Sequence, residues 1–284
     1  MLIVALILVF CSAALHVAWN VKLQSENDPL DTATKALSLG VGCLLPVILA
    51  YWLIVGRPMI SLHALLFAGL SGLAELGYFW FLSYSYQRGE LSVVYPMARG
   101  SAPVLSFMFG IVFLGEHISR LQVIGVICLL LGIWLVRSAA ISGARGAIPA
   151  LVTGVFIAAY TVLDKVGLVG IDPVLFGALK YIFTVLCLLL FAPLRPLFGM
   201  TRPLATGFQS WKKQLLIGVS IIATYQLVLF ALAMAPVAII SPMRESASVV
   251  VTIWGIWKLR ERNGLVPKLL GVGTIFAGIV LLAV

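Results

Sequence analysis

The sequence predicts an all-α integral membrane protein: ten transmembrane helices in two inverted five-helix repeats around a central cavity. Three observations carry that prediction. The 284-residue chain is 62% hydrophobic and only 10% charged, with a mean hydropathy of +1.13. Its apolar runs fall into ten stretches of roughly 20 residues, the length a helix needs to cross a bilayer core. Its second half also repeats rare polar residues of the first at a nearly constant spacing. An average soluble domain is about 45–50% apolar and about 25% charged. A soluble chain of this length has too little interior for so much apolar surface, so lipid must be the solvent for most of it.

The spans read, in order, Leu2–Val21, Ala36–Val55, Leu62–Tyr86, Ser92–Leu114, Leu121–Val136, Ala147–Leu163, Val174–Pro193, Leu215–Ala233, Val237–Trp257 and Val266–Val284. Short polar breaks separate them, such as KLQSENDPLDTATK, QRGEL, GEHISR and DKVGLVGIDP; the break APVA between spans eight and nine is the thinnest. No linker or charge block suggests a soluble domain, and no cleavable signal peptide is expected. Cys11, Cys43, Cys128 and Cys187 all sit in apolar spans without CxxC spacing, so they read as small apolar fillers. His16, His63 and His117 lack metal-ligand spacing. No cofactor or metal is implied.

The net charge is +9 and the isoelectric point about 9.6. In a soluble protein this would raise the question of nucleic acid. Here the excess lies in short loops beside apolar spans, as the positive-inside rule requires, and no nucleic-acid partner is expected. With the N-terminus outside, the cytoplasmic breaks hold Lys22, Lys35, Arg88, Arg137, Arg145, Arg195, Arg202, Lys212, Lys213, Lys258, Arg260 and Arg262, which is 12. The other side holds Arg57, Arg120 and Lys165, which is 3. The bias places both termini on the outer, periplasmic side of a multi-pass protein of the cell (inner) membrane.

The repeat is clearest where YPMARGSAPVLSFMFGIVFLGEHIS (95–119) meets ISPMRESASVVVTIWGIWKLRERNG (240–264). At an offset of 145, Arg99 meets Arg244, Ser101 meets Ser246, Gly110 meets Gly255 and Glu116 meets Glu261, while Lys35 meets Lys180. At 144, Asp28-Pro29 meets Asp172-Pro173; at 146, Gly125 meets Gly271 and Gly132 meets Gly278. Arg and Glu are rare here, so shared hydrophobicity cannot produce these matches. The units read as residues 1–140 and 146–284. A five-helix unit has an odd number of spans, so its second copy enters the membrane upside down. Inverted repeats of this kind place a substrate site near the midplane and let one half rock against the other.

Ten spans, the 5+5 repeat, the segment GELSVVYPMARGSAPVLS, and LGEHIS followed by a Gly-rich helix resemble the EamA branch of the drug/metabolite transporter superfamily. The resemblance covers nearly the whole chain. In the second copy Leu259-Arg260-Glu261 replaces Leu114-Gly115-Glu116. The resemblance implies a ten-helix basket around a cavity that carries metabolites such as amino acids.

A charged side chain at the bilayer centre costs about 2.5–3.5 kcal/mol on insertion scales, so such residues usually face a cavity and mark function. Five stand out: Glu75, Arg99, Lys180, Arg244 and Glu245. With a rise of about 1.5 Å per residue, Arg99 and Arg244 each lie roughly 10 Å from opposite faces, and Glu75 lies close to the middle. Residues three or four apart share a helix face. Arg99 shares its face with Ser92, Tyr95, Pro96, Pro103 and Ser106; Glu75 with Ser71, Tyr78 and Phe79; Glu245 with Ser241, Pro242, Ser248 and Thr252. Trp80 and Tyr84 form an adjacent aromatic stripe. Each charge could equally be half of an ion pair locking the halves together, and the aromatics, with Trp19 and Tyr225, could be packing. Glu116 and Glu261, at loop edges, read as structural.

The expected substrate-binding set is therefore Glu75, Tyr78, Trp80, Tyr84, Tyr95, Arg99, Lys180, Arg244 and Glu245. Arg or Lys suits a carboxylate, Glu an ammonium, and the aromatics an apolar side chain: together they complement a zwitterion. Amino acid export or exchange is the leading expectation. An anionic metabolite, such as an organic acid or sugar phosphate, is the alternative, since three basic groups face two acidic ones. A membrane enzyme on lipid-linked substrates would need a nucleophile with a base, or a metal; HExxH and GxSxG are missing, so no enzyme is expected. A non-transporting assembly subunit would leave its buried charges mutually satisfied. The expected partners are the lipid bilayer and a small-molecule substrate, with a monomer sufficient.

Overall fold

The computed structural model describes residues 1–24, 28–86, 91–138, 147–198, 211–244 and 265–283. The helices are α1 (Leu2–Gln24), α2 (Pro29–Ile54), α3 (Leu62–Tyr86), α4 (Leu91–Leu114), α5 (Arg120–Ser138), α6 (Ala147–Gly167), α7 (Pro173–Phe191), α8 (Trp211–Met234), α9 (Val237–Met243) and α10 (Leu265–Ala283). A 3-10 turn, Ala192–Phe198, follows α7. Among the described residues there is no strand. Among the described residues, six helices are long and apolar enough to cross a membrane, and three further apolar stretches are shorter. The surface is inside-out relative to a soluble protein. Large apolar side chains such as Val47, Leu49, Val112, Phe113, Leu190 and Phe276 point outward, while Glu75, Asp164, Lys180 and Arg195 are buried. This is a multi-pass membrane protein.

Two boundaries differ from the sequence reading for physical reasons. Helix α2 begins seven residues before the expected span at Ala36, because Asp28 caps it and Pro29 supplies the first helical φ. The Asp28 carboxylate accepts from the Asp31 amide at 2.9 Å. Asp172-Pro173 starts α7 in the same way, its carboxylate accepting from the Val174 and Leu175 amides at 2.8 and 3.4 Å. Helix α6 continues past Leu163 to Gly167, so Asp164 and Lys165, expected in a loop, are helical. Asp164 is buried and Lys165 half-buried, and both find partners on other helices, which removes the reason to end the span there.

The most extensive helix packing crosses between the halves. Helix α3 packs on α6 as α8 packs on α1, and α7 packs on α3 as α2 packs on α8; α5–α10, α4–α9 and α2–α7 pair across the symmetry. The α5–α10 register fixes the kind of symmetry. A Cβ on Gly125 would meet the Gly278 carbonyl at 3.0 Å, and one on Gly132 would meet the Gly271 carbonyl at 2.6 Å. Advancing along α5 means retreating along α10, so the two helices are antiparallel. A twofold relation that exchanges antiparallel helices has its axis perpendicular to them, which in a membrane is the bilayer plane. The repeat is inverted. Missing side chains at these glycines let the backbones touch, as dispersion-driven packing in lipid demands.

The start of α9 is fixed from outside its own half. Glu116, in the α4–α5 connection, accepts from the amides of Val237 and Ala238 at 2.7 and 2.9 Å. Lys165 donates to the carbonyls of Leu232 and Ala235, at the end of α8, at 2.6 and 3.0 Å. A carboxylate at a helix N-terminus and an ammonium at a C-terminus both satisfy orphan backbone groups and oppose the helix dipole. The clamp sets the position of Arg244, the residue following α9.

Candidate functional site

Four helices and the residue that follows α9 send side chains to one buried cluster. Helix α3 contributes Ser71, Glu75 and Tyr78; α6 contributes Tyr160 and Asp164; α7 contributes Lys180, Tyr181 and Thr184; α8 contributes Tyr225; and Arg244 follows α9. Each set follows helical spacing, Ser71–Glu75–Tyr78 and Lys180–Thr184 lying along single faces. Asp164 and Lys180 are fully buried and Glu75 is 4% exposed.

Lys180 is the centre. Its Nζ donates to Asp164 Oδ2 at 2.8 Å and lies 3.7 Å from Glu75 Oε2. The ring centroids of Tyr225 and Tyr160 are 3.5 and 4.5 Å from the same nitrogen. Tyrosine faces attract a desolvated cation. Asp164 also accepts from the hydroxyls of Ser71 and Tyr225. Glu75 accepts from Thr184 at 2.9 Å. Tyr78 and Tyr225 each meet Tyr160 edge to face, with centroids 6.0 and 5.5 Å apart. The Arg244 guanidinium lies 5.1 Å from the Tyr225 centroid. This arrangement can hold an ammonium between carboxylates and rings, and it places a guanidinium one ring away.

The structure brings together Glu75, Tyr78, Lys180 and Arg244 of the expected set. Trp80 instead stacks in an aromatic group with Phe81, Phe191 and Phe198, at centroid distances of 5.1, 4.8 and 4.7 Å. Tyr84 is half-buried on the same helix. The side chains of Tyr95 and Arg99, and all of Glu245 and Glu261, lie outside the described residues. Among the described residues, no group of three His, Cys, Asp or Glu side chains gathers as a metal site.

Sequence reading missed Asp164, Tyr160 and the role of Tyr225. A signal was present. Thr153, Tyr160, Thr161 and Asp164 follow helical spacing along α6, and all are buried. Ending the span at Leu163 hid the stripe.

A model of the EamA-like transporter family matches residues 1–138 and again 144–284, one copy on each half. The chain belongs to the EamA-like transporter family. Among 27 matching chains of solved structures, one titled "Crystal structure of protein" aligns with a TM-score of 0.72. It covers 96% of this chain and 97% of its own at 17% identity, a likeness of fold alone. No curated protein matches. In this EamA-like transporter the Lys180 cluster draws on both repeats, Glu75 from the first and Asp164, Lys180, Tyr225 and Arg244 from the second. A charged set shared between halves is where relative motion of those halves would be felt.

Proposed function

We propose that this EamA-like transporter exports or exchanges amino acids by alternating access, with the Lys180 cluster at or beside the substrate path. One observation supports this most: carboxylates, a guanidinium and tyrosine faces converge on one buried volume between the repeats. In this reading Arg244 and Arg99 hold the substrate carboxylate, Glu75 and Glu245 its ammonium, and Tyr78, Trp80, Tyr84 and Tyr95 its apolar part. Asp164 brings the acidic groups level with the basic ones, which removes the excess of positive charge that favoured an anionic metabolite. Lys180 is paired, as an assembly subunit would have it. A transporter family and two carboxylates around one ammonium speak for transport instead.

The protein is placed in the cell membrane with both termini outside, on the 12-to-3 bias of basic residues among the breaks. Residues 1–140 and 146–284 form the two units, and one copy suffices. Purified protein in liposomes, offered labelled amino acids, organic acids and sugar phosphates in turn, should take up amino acids. Uptake confined to organic acids or sugar phosphates would reject the reading. A C-terminal fluorescent reporter that matures only in the cytoplasm should stay dark; a bright one would reverse the topology.

A further inference from the structure

We infer that Glu116 and Lys165 form a gate, a clamp that closes one end of the path between two helix groups and lets go when that end opens. The inference rests on the alternating-access reading above and names a contact that the motion breaks. Helices α3, α4, α6 and α7 pack as one group, and α1, α2 and α8 as another that α9 joins; the α2–α7 and α4–α9 contacts link the two. Glu116 follows α4 and Lys165 lies in α6, both in the first group. Each makes two side-chain hydrogen bonds to the α8–α9 corner, in the second.

The residues of the corner show why it takes a clamp from elsewhere. The N-cap of α9 is Pro236, which has no side-chain acceptor for the first amides. Ile239 and Ile240 bond back to the Pro236 carbonyl, which leaves the amides of Val237 and Ala238. Glu116 accepts from both, so α9 receives its cap from the other group. The end of α4 is built to deliver that carboxylate. Gly115 turns the chain at a φ of +62°, in the left-handed region that glycine enters without strain. The Glu116 amide then bonds back to the Gly110 carbonyl at 3.1 Å. A Cβ on Gly110 would strike Glu116 Oε2 and stand 3.1 Å from the Ala238 nitrogen, so the bare glycine makes room for the carboxylate against α9.

The chemistry of the contact lets it be undone. Glu116 and Lys165 are half-buried, so water reaches both once the corner moves away. Their partners are amides and carbonyls at helix ends, orphan groups that water also satisfies. Opening therefore leaves no charge buried without a partner, the cost that would hold a fully buried pair shut. Closing exchanges water for the clamp, and opening reverses the exchange.

Double electron–electron resonance on the full chain in liposomes reads the gate without any substrate. Spin labels go on His117→Cys and Ala233→Cys, exposed positions on the two sides of the corner, with the four native cysteines replaced by alanine. Glu116→Ala should raise the ratio of the longer to the shorter label distance roughly ten-fold or more, the effect of losing a charge-assisted hydrogen bond. Lys165→Met should move it the same way, and decides alone if Glu116→Ala does not fold. Unchanged distances overturn the inference even where the melting temperature falls, since a purely structural brace predicts that pattern. Joining the two cysteines with a reducible bis-methanethiosulfonate should stop uptake of labelled leucine, and reduction should restore it. Uptake that continues across the cross-link overturns the gate. Distances that shift in a protein that takes up no amino acid uphold the gate and reject the amino-acid reading alone.

Discussion

Helices α2 and α7 begin alike and diverge within two turns. Both open on Asp-Pro, with the Asp capping the first amides, and both carry a lysine in the second or third turn. Lys35 stands seven residues after its cap and Lys180 eight after its own. One extra residue turns a side chain by about 100° around a helix. The residue four before Lys35 is Asp31, which pairs with it at 2.8 Å. The residue four before Lys180 is Phe176, fully buried. Lys35 therefore finds its partner within its own helix, near water, with 22% of its side chain exposed. Lys180 has no acid four residues before it and meets Asp164 and Glu75 from two other helices. A duplicated motif became a local brace in one half and a junction between halves in the other. The two copies differ by a one-residue register shift and by a phenylalanine, Phe176, standing four before the lysine where α2 has Asp31.

The largest effect that follows is at Asp164. Asp164→Ala leaves the Lys180 ammonium buried and facing Glu75 alone, without a hydrogen-bonded acceptor among the carboxylates. Removing one partner of a buried pair costs about 3–5 kcal/mol. Chemical unfolding in detergent should show a loss of that size. A loss below about 1 kcal/mol would mean that the α7 junction is energetically no different from an exposed pair, and the comparison would fail.

Much of this was legible in the sequence, and the failures share one cause. The bounds of α3, Leu62–Tyr86, match the apolar run, because a bilayer span is written in composition alone. Glu75, Lys180 and Arg244 were visible because a charge inside an apolar run is costly wherever it points. The inverted relation followed from an odd number of spans per repeat, and the antiparallel α5–α10 contact carries it physically. Asp164 was not visible, because an acid beside a lysine at the end of an apolar run also describes a loop. What distinguishes the two is whether partners wait inside, and Ser71, Lys180 and Tyr225 lie 93, 16 and 61 residues away in the chain. Trp80 stands apart from the Lys180 cluster: its ring turns to Phe191 and Phe198, and the latter lies in the 3-10 turn that the sequence did not announce.

Arg195 sharpens the comparison from the other half. It sits in that 3-10 turn, 1% exposed, and reaches back to the start of α2. Its Nη2 donates to the Thr34 hydroxyl at 3.1 Å, and its Nη1 lies 3.6 Å from Asp28 Oδ2. The first-half cluster thus joins the buried Arg195, Thr34 and Asp31 to the partly exposed Asp28 and Lys35. Asp28 is 14% exposed by side chain and can be hydrated if its partner leaves. Arg195→Ala should therefore cost about 1.5–3 kcal/mol, the range for hydrogen bonds to charged groups, and less than Asp164→Ala. The two variants unfolded side by side decide the order; a larger loss for Arg195→Ala would place the critical junction at α2 instead.

The smallest effect belongs to Lys35, and salt is the way to isolate it. An i,i+4 pair near solvent gains about 0.3–0.5 kcal/mol, because water screens the attraction and ordering two side chains offsets part of it. In this pair the acid precedes the base at the start of α2, the orientation that also suits the helix dipole, so the pair belongs at the favourable end of that range. Lys35→Met should lower unfolding free energy by no more than about that amount. Raising ionic strength to about 1 M shortens the screening length to about 3 Å and should erase the difference from wild type. The deficit of Asp164→Ala should survive the same salt, since ions do not enter a site with no exposed surface. If both deficits vanish together, Lys180 is solvated in the working protein and the two lysines are equivalent after all. If only the Lys35 deficit vanishes, burial is what separates the two copies of the motif, and the chemistry of the second copy follows from it.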